Sequence, residues 1–371
     1  MKITKIETWV CERPDNFFDS ARTGRSPMRW DVVVLKLHTD TGLHGTCTFF
    51  GARSGRITEA MIHDIIVPVV LGRDPTDRET IWHEFWNIDR HGAFFPVFLP
   101  GPIDVALWDI CAKAAGLPLH RYIGSYRTSL PVYASSLFLP STEAYVEQAL
   151  DYQKRGINAY KAHPPGPWRK DMEVHQALRD ALGAEAVLMS DPVAEYTLEE
   201  AIRVGRHLEE LNYHWFEEPF RDFELEKYRK LCNALDIPIA TTETTRGGPW
   251  GVAQAIQQGA ADIVRADVSW KGGITGTLKV CHLAEAHGLP CEIHTTTMGL
   301  MDMANLHVSC AVRNCEYFEL FAPEDRFQFP MKDPLPVDKN GRINVPEGPG
   351  LGMDLDWDTV DNSAISYKSF I

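Results

Sequence analysis

Seven chemically capable side chains recur at nearly even intervals through the second part of this 371-residue chain: His163, Asp191, Glu217, Glu243, Asp267, His294 and Glu319. The gaps between them are 28, 26, 26, 24, 27 and 25 residues. One strand, one helix and two loops take about that many residues in a β/α unit. Each residue falls at or near the end of a short apolar run, at 159–163, 186–192, 215–219, 238–243, 262–269, 290–296 and 315–321. Amphipathic stretches such as 197–211 and 274–287 lie between the runs. With one further run at 130–135, eight strands alternate with helices, which predicts a (β/α) barrel. The recurring side chains then stand around its C-terminal mouth, where barrels of this kind carry their active sites.

The chain is longer than one ordinary domain, and residues 1–125 have a different rhythm. Residues 31–37 (DVVVLKL), the turn Thr39-Asp40-Thr41-Gly42 and a second run from Gly45 to Phe50 read as a hairpin. Residues 13–29, rich in Pro, Arg, Ser and Gly, read as a loop. In 103–115 (IDVALWDICAKAA), Ile103, Ala106, Leu107, Ile110 and Ala114 share one helical face, and Gly116 and Pro118 end the helix. The expected organisation is an α+β domain over 1–125, a barrel over 126–334, and a Pro-, Gly- and Asp-rich tail over 335–371 that folds back on the first domain.

A formal charge of −14 with no run of Lys or Arg argues against nucleic acid as a partner. No apolar run reaches the length of a membrane span, and the N-terminus MKITKIETWV has no signal-peptide core. The eight cysteines are scattered without a CxxC pair, as befits thiols in a reducing compartment. The expectation is a cytoplasmic homo-oligomer acting on a small molecule.

Asp191, Glu217 and Glu243 come from consecutive strands, so their carboxylates converge, and mutual repulsion opposes their ionisation. A hard divalent cation such as Mg²⁺ removes that conflict and keeps positions open for other oxygens. The alternative is that these acids cap helix N-termini. Asp267 and His294 end the next two strands, where a carboxylate orients an imidazole for acid/base work; a merely satisfied, half-buried histidine is the alternative. Lys161 and His163 share a strand face. A buried Lys there must meet an anion, either a substrate carboxylate or a member of the ring. Glu319 is a hydrogen-bond donor to a reacting carboxylate if the cluster keeps it protonated. No partner for His163 is visible in the sequence.

At these residues the sequence resembles the enolase superfamily, and within it the mandelate racemase-like group. The resemblance covers nearly the whole chain and is carried by IDVALWDICAKAAGLPLHRYIG (103–124), WFEEP (215–219) and KGGITG (271–276). It implies a modified (β/α)7β barrel with an N-terminal α+β capping domain. It also implies Mg²⁺ held by Asp191, Glu217 and Glu243, a His294–Asp267 dyad on one face of the substrate, and Lys161 and Glu319 beside the substrate carboxylate. Sites of this superfamily pair a Lys or His base with Mg²⁺. In the family, first-domain loops close over the barrel mouth. Arg22, Arg25, Arg29 and Arg53 lie in the corresponding loops, and Arg22 and Arg53 are the candidates for binding substrate bidentately. Two departures stand out: Lys161-Ala-His163 replaces Lys-x-Lys, and Asp191-Pro192-Val193 replaces Asp-x-Asn. They set the chain apart from mandelate-type racemisation.

The expected reaction is Mg²⁺-dependent removal of the proton α to a carboxylate by His294 or His163. Loss of a β-hydroxyl from a sugar acid then gives a 2-keto-3-deoxy acid, a lyase reaction. Racemisation, epimerisation or cycloisomerisation through the same enediolate is the alternative. A barrel metallohydrolase is disfavoured, because 130–136 (LPVYASS) lacks a His-x-His pair. A non-catalytic sugar-acid-binding homologue would be expected to have lost a ring residue, and only position 163 departs.

Overall fold

The computed structural model describes residues 1–13, 30–50, 54–93, 96, 98–164, 166–295 and 299–371. Alternating and β-branched segments near the N-terminus form β1 (Ile3–Cys11), β2 (Val32–Thr39) and β3 (His44–Phe50). The barrel strands are β4 (Ser129–Ser136), β5 (Ala159–Ala162), β6 (Val187–Ser190), β7 (Trp215–Glu217), β8 (Ile239–Thr241), β9 (Ile263–Ala266), β10 (Cys291–Ile293) and β11 (Phe318–Ala322). Two tail strands follow, β12 (Arg342–Asn344) and β13 (Ala364–Phe370). One antiparallel sheet runs β13-β1-β2-β3, so the end of the tail completes the sheet that the N-terminus begins. β12 instead pairs with β4, which keeps the start of the tail on the barrel.

The barrel strands are parallel and adjacent in sequence order from β4 to β10, and β11 returns to pair with β4. A helix follows each strand from β4 to β10, while none returns from β11, which gives the (β/α)7β pattern. The seam between β10 and β11 is crossed by individual hydrogen bonds instead of a strand ladder. Thr295 Oγ1 donates to Glu319 O at 2.8 Å, and Cys291 N donates to Asn314 O at 2.7 Å. Tyr133, Met189 and Trp215 fill the lower barrel interior together with Ala159, Ala240 and Ile263. Outer helices such as Leu198–Glu210 are amphipathic. Thr197 and Glu200 form a reciprocal capping box at the start of that helix, and Ala201, Val204 and Leu208 face the barrel.

The helix Gly101–Ala114 lies between the first sheet and the barrel. Ile103, Ala106, Leu107 and Ile110 are buried as the pattern predicts, but Ala114 is exposed and Val105, Asp104 and Asp109 are buried as well. A single apolar face was expected. The helix is buried on two sides because it is sandwiched, so its polar residues need partners. On one side the backbone of Ala106 sits over Gly45 of β3, where a Cβ would come within 2.1 Å of Ala106 O. On the other side Asp104 accepts from Thr275 N at 2.8 Å and Thr275 Oγ1 at 2.6 Å, and Trp108 Nε1 donates to Thr275 Oγ1 at 2.9 Å. Trp82 Nε1 donates to Gly272 O at 2.9 Å. The segments 103–124 and 271–276 thus form one latch between sheet and barrel. Asp109 ties in the tail, accepting from Leu351 N at 2.8 Å. All eight cysteines are free thiols, and no helix among the described residues is long and apolar enough to cross a membrane.

The latch depends on Gly273, whose φ of +96° favours glycine and whose added Cβ would lie 2.3 Å from Asp104. Gly288 also has a positive φ, near the other end of the helix Ile274–Ala286, but has nothing within 4 Å. Gly288→Ala should therefore lose about 1–2 kcal/mol from backbone conformation alone. Gly273→Ala should lose on the order of 3 kcal/mol or more, because overlap adds to strain. Urea denaturation of the two variants measures the difference; equal losses would mean that the latch does not govern stability.

Candidate active site

Asp191 follows β6 directly, Glu217 is the last residue of β7, and Glu243 lies two residues past β8. Consecutive parallel strands bring them together, and each offers an oxygen within 4.8 Å of the other two. The surroundings are rich in like charge. Burial, with Glu217 and Asp191 adding to it against the pull of His294, holds the Glu243 carboxyl above its usual range. Burial and then Glu243, Asp191 and Glu217 push Glu218 well above its own. Three hard oxygen donors with unrelieved repulsion beside them fit a small divalent cation such as Mg²⁺.

Lys161 lies beneath the cluster, fully buried. Its Nζ is 3.0 and 3.1 Å from the Glu217 oxygens, 2.8 Å from Glu319 Oε1 and 3.8 Å from Asp191 Oδ2. Burial alone would strip its charge, but Glu217 and Glu319 outweigh burial and keep its pKa raised. Of the two partners open to it from sequence, the ring carboxylates are the ones it meets here.

Asp267 and His294 leave the adjacent strands β9 and β10. His294 Nδ1 is 2.6 Å from Asp267 Oδ2. Asp267 is fixed in turn, its Oδ1 accepting from Ser269 N at 2.6 Å and Trp270 N at 2.7 Å. With Nδ1 donating to Asp267, the other ring nitrogen points at Glu243 Oε1, 3.5 Å away. Burial opposes protonation of His294, yet Glu243, Asp267 and Glu319 raise it to about 9. His163, past the end of β5, faces the same cavity. This space of about 320 Å³ is lined by His163, Asp191, Glu218, Glu243 and His294, with residues from several other loops. Lys161, Glu217, Asp267 and Glu319 lie deeper and are fully buried.

Two sequence expectations need correction. His163 does have partners: its Nε2 lies 3.1 Å from Asp191 Oδ2, and its Nδ1 lies 2.5 Å from Ser136 O. The Ser136 carbonyl leaves no trace in sequence, whereas Asp191 ends the strand next to that of His163, so the adjacency that paired Asp267 with His294 would have paired these two as well. Glu319 is not held protonated by the cluster. Burial works in that direction, but Lys161 and then Arg265 outweigh it and hold the carboxyl well below the usual range. Glu319 is an ionised bridge between two cations. Arg22, Arg25, Arg29 and Arg53 lie outside the described residues.

Three further residues shape the site. Arg265 is fully buried, its Nη2 donating to Glu319 Oε2 at 2.7 Å and its Nε 2.8 Å from Glu217 Oε1. It stands two residues before Asp267, so the strand period that linked Lys161 to His163 would have found it. Lys271, the first residue of KGGITG, donates to Thr242 O at 2.6 Å and Thr245 O at 3.1 Å, bracketing Glu243. Burial brings its pKa down to about 8. Glu218 enters the cavity through a backbone φ of +33°. Val193, Ala194 and Thr242 also have positive φ, so three successive strand exits pass through the left-handed region. Such strain, about 1–3 kcal/mol each, persists where surrounding contacts over-determine the backbone.

Residues 144–359 match the family described as enolase C-terminal domain-like, and residues 5–124 match the mandelate racemase / muconate lactonizing enzyme N-terminal domain. The chain belongs to the enolase superfamily and to its mandelate racemase-like group. It is 31% identical over 335 residues to the L-talarate/galactarate dehydratase of Salmonella typhimurium, covering 87% of this chain and 80% of that one. It is 29% identical over 380 residues to the D-galactarolactone cycloisomerase of Agrobacterium fabrum, covering 97% and 98%. The fold superposes on D-glucarate dehydratase from Agrobacterium tumefaciens, solved with magnesium, with a TM-score of 0.89 at 31% identity over 99% and 100% of the two chains. The relatives are acid-sugar dehydratases, cycloisomerases and epimerases.

Arg265→Met should leave Glu217 and Glu319 short of positive charge in a sealed interior and lower stability by about 3–5 kcal/mol. Adding Glu319→Gln should recover a large part of the loss, because the two residues couple directly. Thermal denaturation of both variants reads this; a double variant no more stable than the single one would contradict the charge-balance account.

Proposed function

We propose that this enzyme removes the proton α to the carboxylate of a sugar acid and then expels the β-hydroxyl, giving a 2-keto-3-deoxy acid. The observation that carries the reading is a three-carboxylate cluster of which Asp191 and Glu243 face one cavity together with two histidines. Asp191, Glu217 and Glu243 would hold Mg²⁺, which when bound supplies Lewis-acid stabilisation of charge developing on the substrate carboxylate. The chain supplies the proton transfers. Asp267, pinned by two backbone N–H groups, fixes His294 with its Nδ1–H turned away from the cavity and leaves the other nitrogen to exchange protons there. A dyad so oriented suits both taking an α-proton and protonating a departing hydroxyl. Lys161 and Arg265 hold Glu217 and Glu319 in place, which preorganises the cluster before substrate arrives. Dehydratases among the relatives favour elimination as the outcome.

A second reading has its own support. His163 follows β5 and His294 follows β10, so the cavity has an acid/base group on two sides. Proton return from the other side would give epimerisation.

Three measurements test the proposal. Protein stripped with EDTA should be inactive and recover with Mg²⁺, and Glu243→Gln should bind Mg²⁺ weakly by calorimetry; full activity after rigorous metal removal would rule out the metal-dependent reading. His294→Asn should lower kcat by about 10²–10⁴-fold, and near wild-type turnover would remove the dyad from the mechanism. His163→Ala, run with the true substrate in D₂O, should still exchange the α-proton if His294 is the base. Loss of both exchange and product in that variant alone would make His163 the abstracting base.

A further inference from the structure

The cavity has two unlike sides. Beyond the ring, its polar lining among the described residues comes mainly from Arg221 and Asp222 after β7 and Thr244 after β8. Across the barrel, from β4, β5 and β11, the lining is aromatic and aliphatic. His163 is flanked by Phe138 at 6.4 Å and Phe321 at 5.7 Å between ring centroids, and Phe321 lies 4.9 Å from Phe327. Phe327 packs with Trp30, and Leu137 and Phe321 pack against that pair. Of the polar groups on this side, Ser136 is engaged with His163: its Oγ accepts from His163 N at 2.9 Å, and its carbonyl faces His163 Nδ1.

A wall of this kind has consequences for any ligand anchored at the carboxylate cluster. Apolar groups gain by leaving water for it. A hydroxyl or a carboxylate pressed against the Phe138, Phe321 and Phe327 rings would lose its hydration without a partner there. Yet the ring and the Arg221–Asp222–Thr244 side offer donors and acceptors for a carboxylate and for hydroxyls on the middle carbons. The available volume, about 320 Å³, is at the small end for ligand sites. We propose that the preferred substrate is a short ω-deoxy acid sugar, with a carboxylate at one end, hydroxyls in the middle and a methyl group at the other end seated on the Phe138–Phe321–Phe327–Trp30 wall. This rests on the reading that a carboxylate binds at the Asp191–Glu217–Glu243 cluster. An aldarate, with a second carboxylate at that end, is the class the wall disfavours most.

The test compares a 6-deoxyhexonate, the corresponding hexonate and the corresponding hexarate within each available stereochemical series. Keto acid release gives kcat/KM, and calorimetry with Mg²⁺ present gives Kd on the same protein. Within the accepted series the deoxy acid should be favoured over the hexonate by about 10–10²-fold and over the hexarate by more. Phe321→Asn should narrow the first preference to a few-fold. Keto acid formed with the hexonate or hexarate preferred would overturn the wall assignment and leave the dehydration reading standing. Tightest binding of the deoxy acid without any keto acid would support the wall and overturn dehydration. Failure of all three acids to bind would overturn both.

Discussion

The structure is organised around buried negative charge. Asp191, Glu217, Glu218, Glu243, Asp267 and Glu319 gather at one end of the barrel, where parallel strands leave their side chains no room to separate. Two carboxylates about 4 Å apart repel by about 4 kcal/mol at an effective dielectric of 20. Lys161 and Arg265 offset this for the deeper pair, Glu217 and Glu319, and His294 for Asp267. At Glu218 and Glu243 burial and like charge prevail, even over the pull of His294 and Arg265 on Glu243, and both carboxyls are pushed upward. That imbalance is what a divalent cation would relieve, and it lies beside the two histidines able to move protons.

Holding such a cluster requires a rigid frame. The strand exits that carry Asp191, Glu217 and Glu243 are bent through left-handed conformations at Val193, Glu218 and Thr242. The frame tolerates this because backbone and side-chain bonds fix each exit: Ala194 N donates to Glu218 O, Glu243 N to Glu218 Oε1, and Lys271 to the carbonyls on either side of Glu243. Lys271 opens the same loop whose glycines receive the helix Gly101–Ala114. The latch between sheet and barrel and the geometry of the carboxylate cluster are therefore mechanically continuous.

Much of this was legible in the chain. The even spacing from His163 to Glu319 records the length of a β/α unit, and such a period survives any local uncertainty about where strands begin. The partnership of Asp267 with His294 was legible too, because adjacent strand ends can only be neighbours. What was not legible depended on side chains reaching across the barrel. Lys161 and then Arg265 hold the Glu319 carboxyl down against burial, and reading Glu319 as a proton-bearing donor left Arg265 out. The second carboxyl of WFEEP reaches the cavity only because the backbone at Glu218 leaves the strand conformation. The helix at 101–114 showed one apolar face in its spacing, whereas its second buried face is made of Asp104 and Asp109 paired with backbone and hydroxyl donors, a pattern that periodicity does not register.

The most direct measurement is an anomalous difference map from crystals grown with Mn²⁺ as a scattering substitute for Mg²⁺. The account predicts one strong peak bounded by carboxylate oxygens of Asp191, Glu217 and Glu243, absent in crystals of Glu243→Gln. A map without a peak among these residues at saturating Mn²⁺, or with the ion held elsewhere in the cavity, would contradict it.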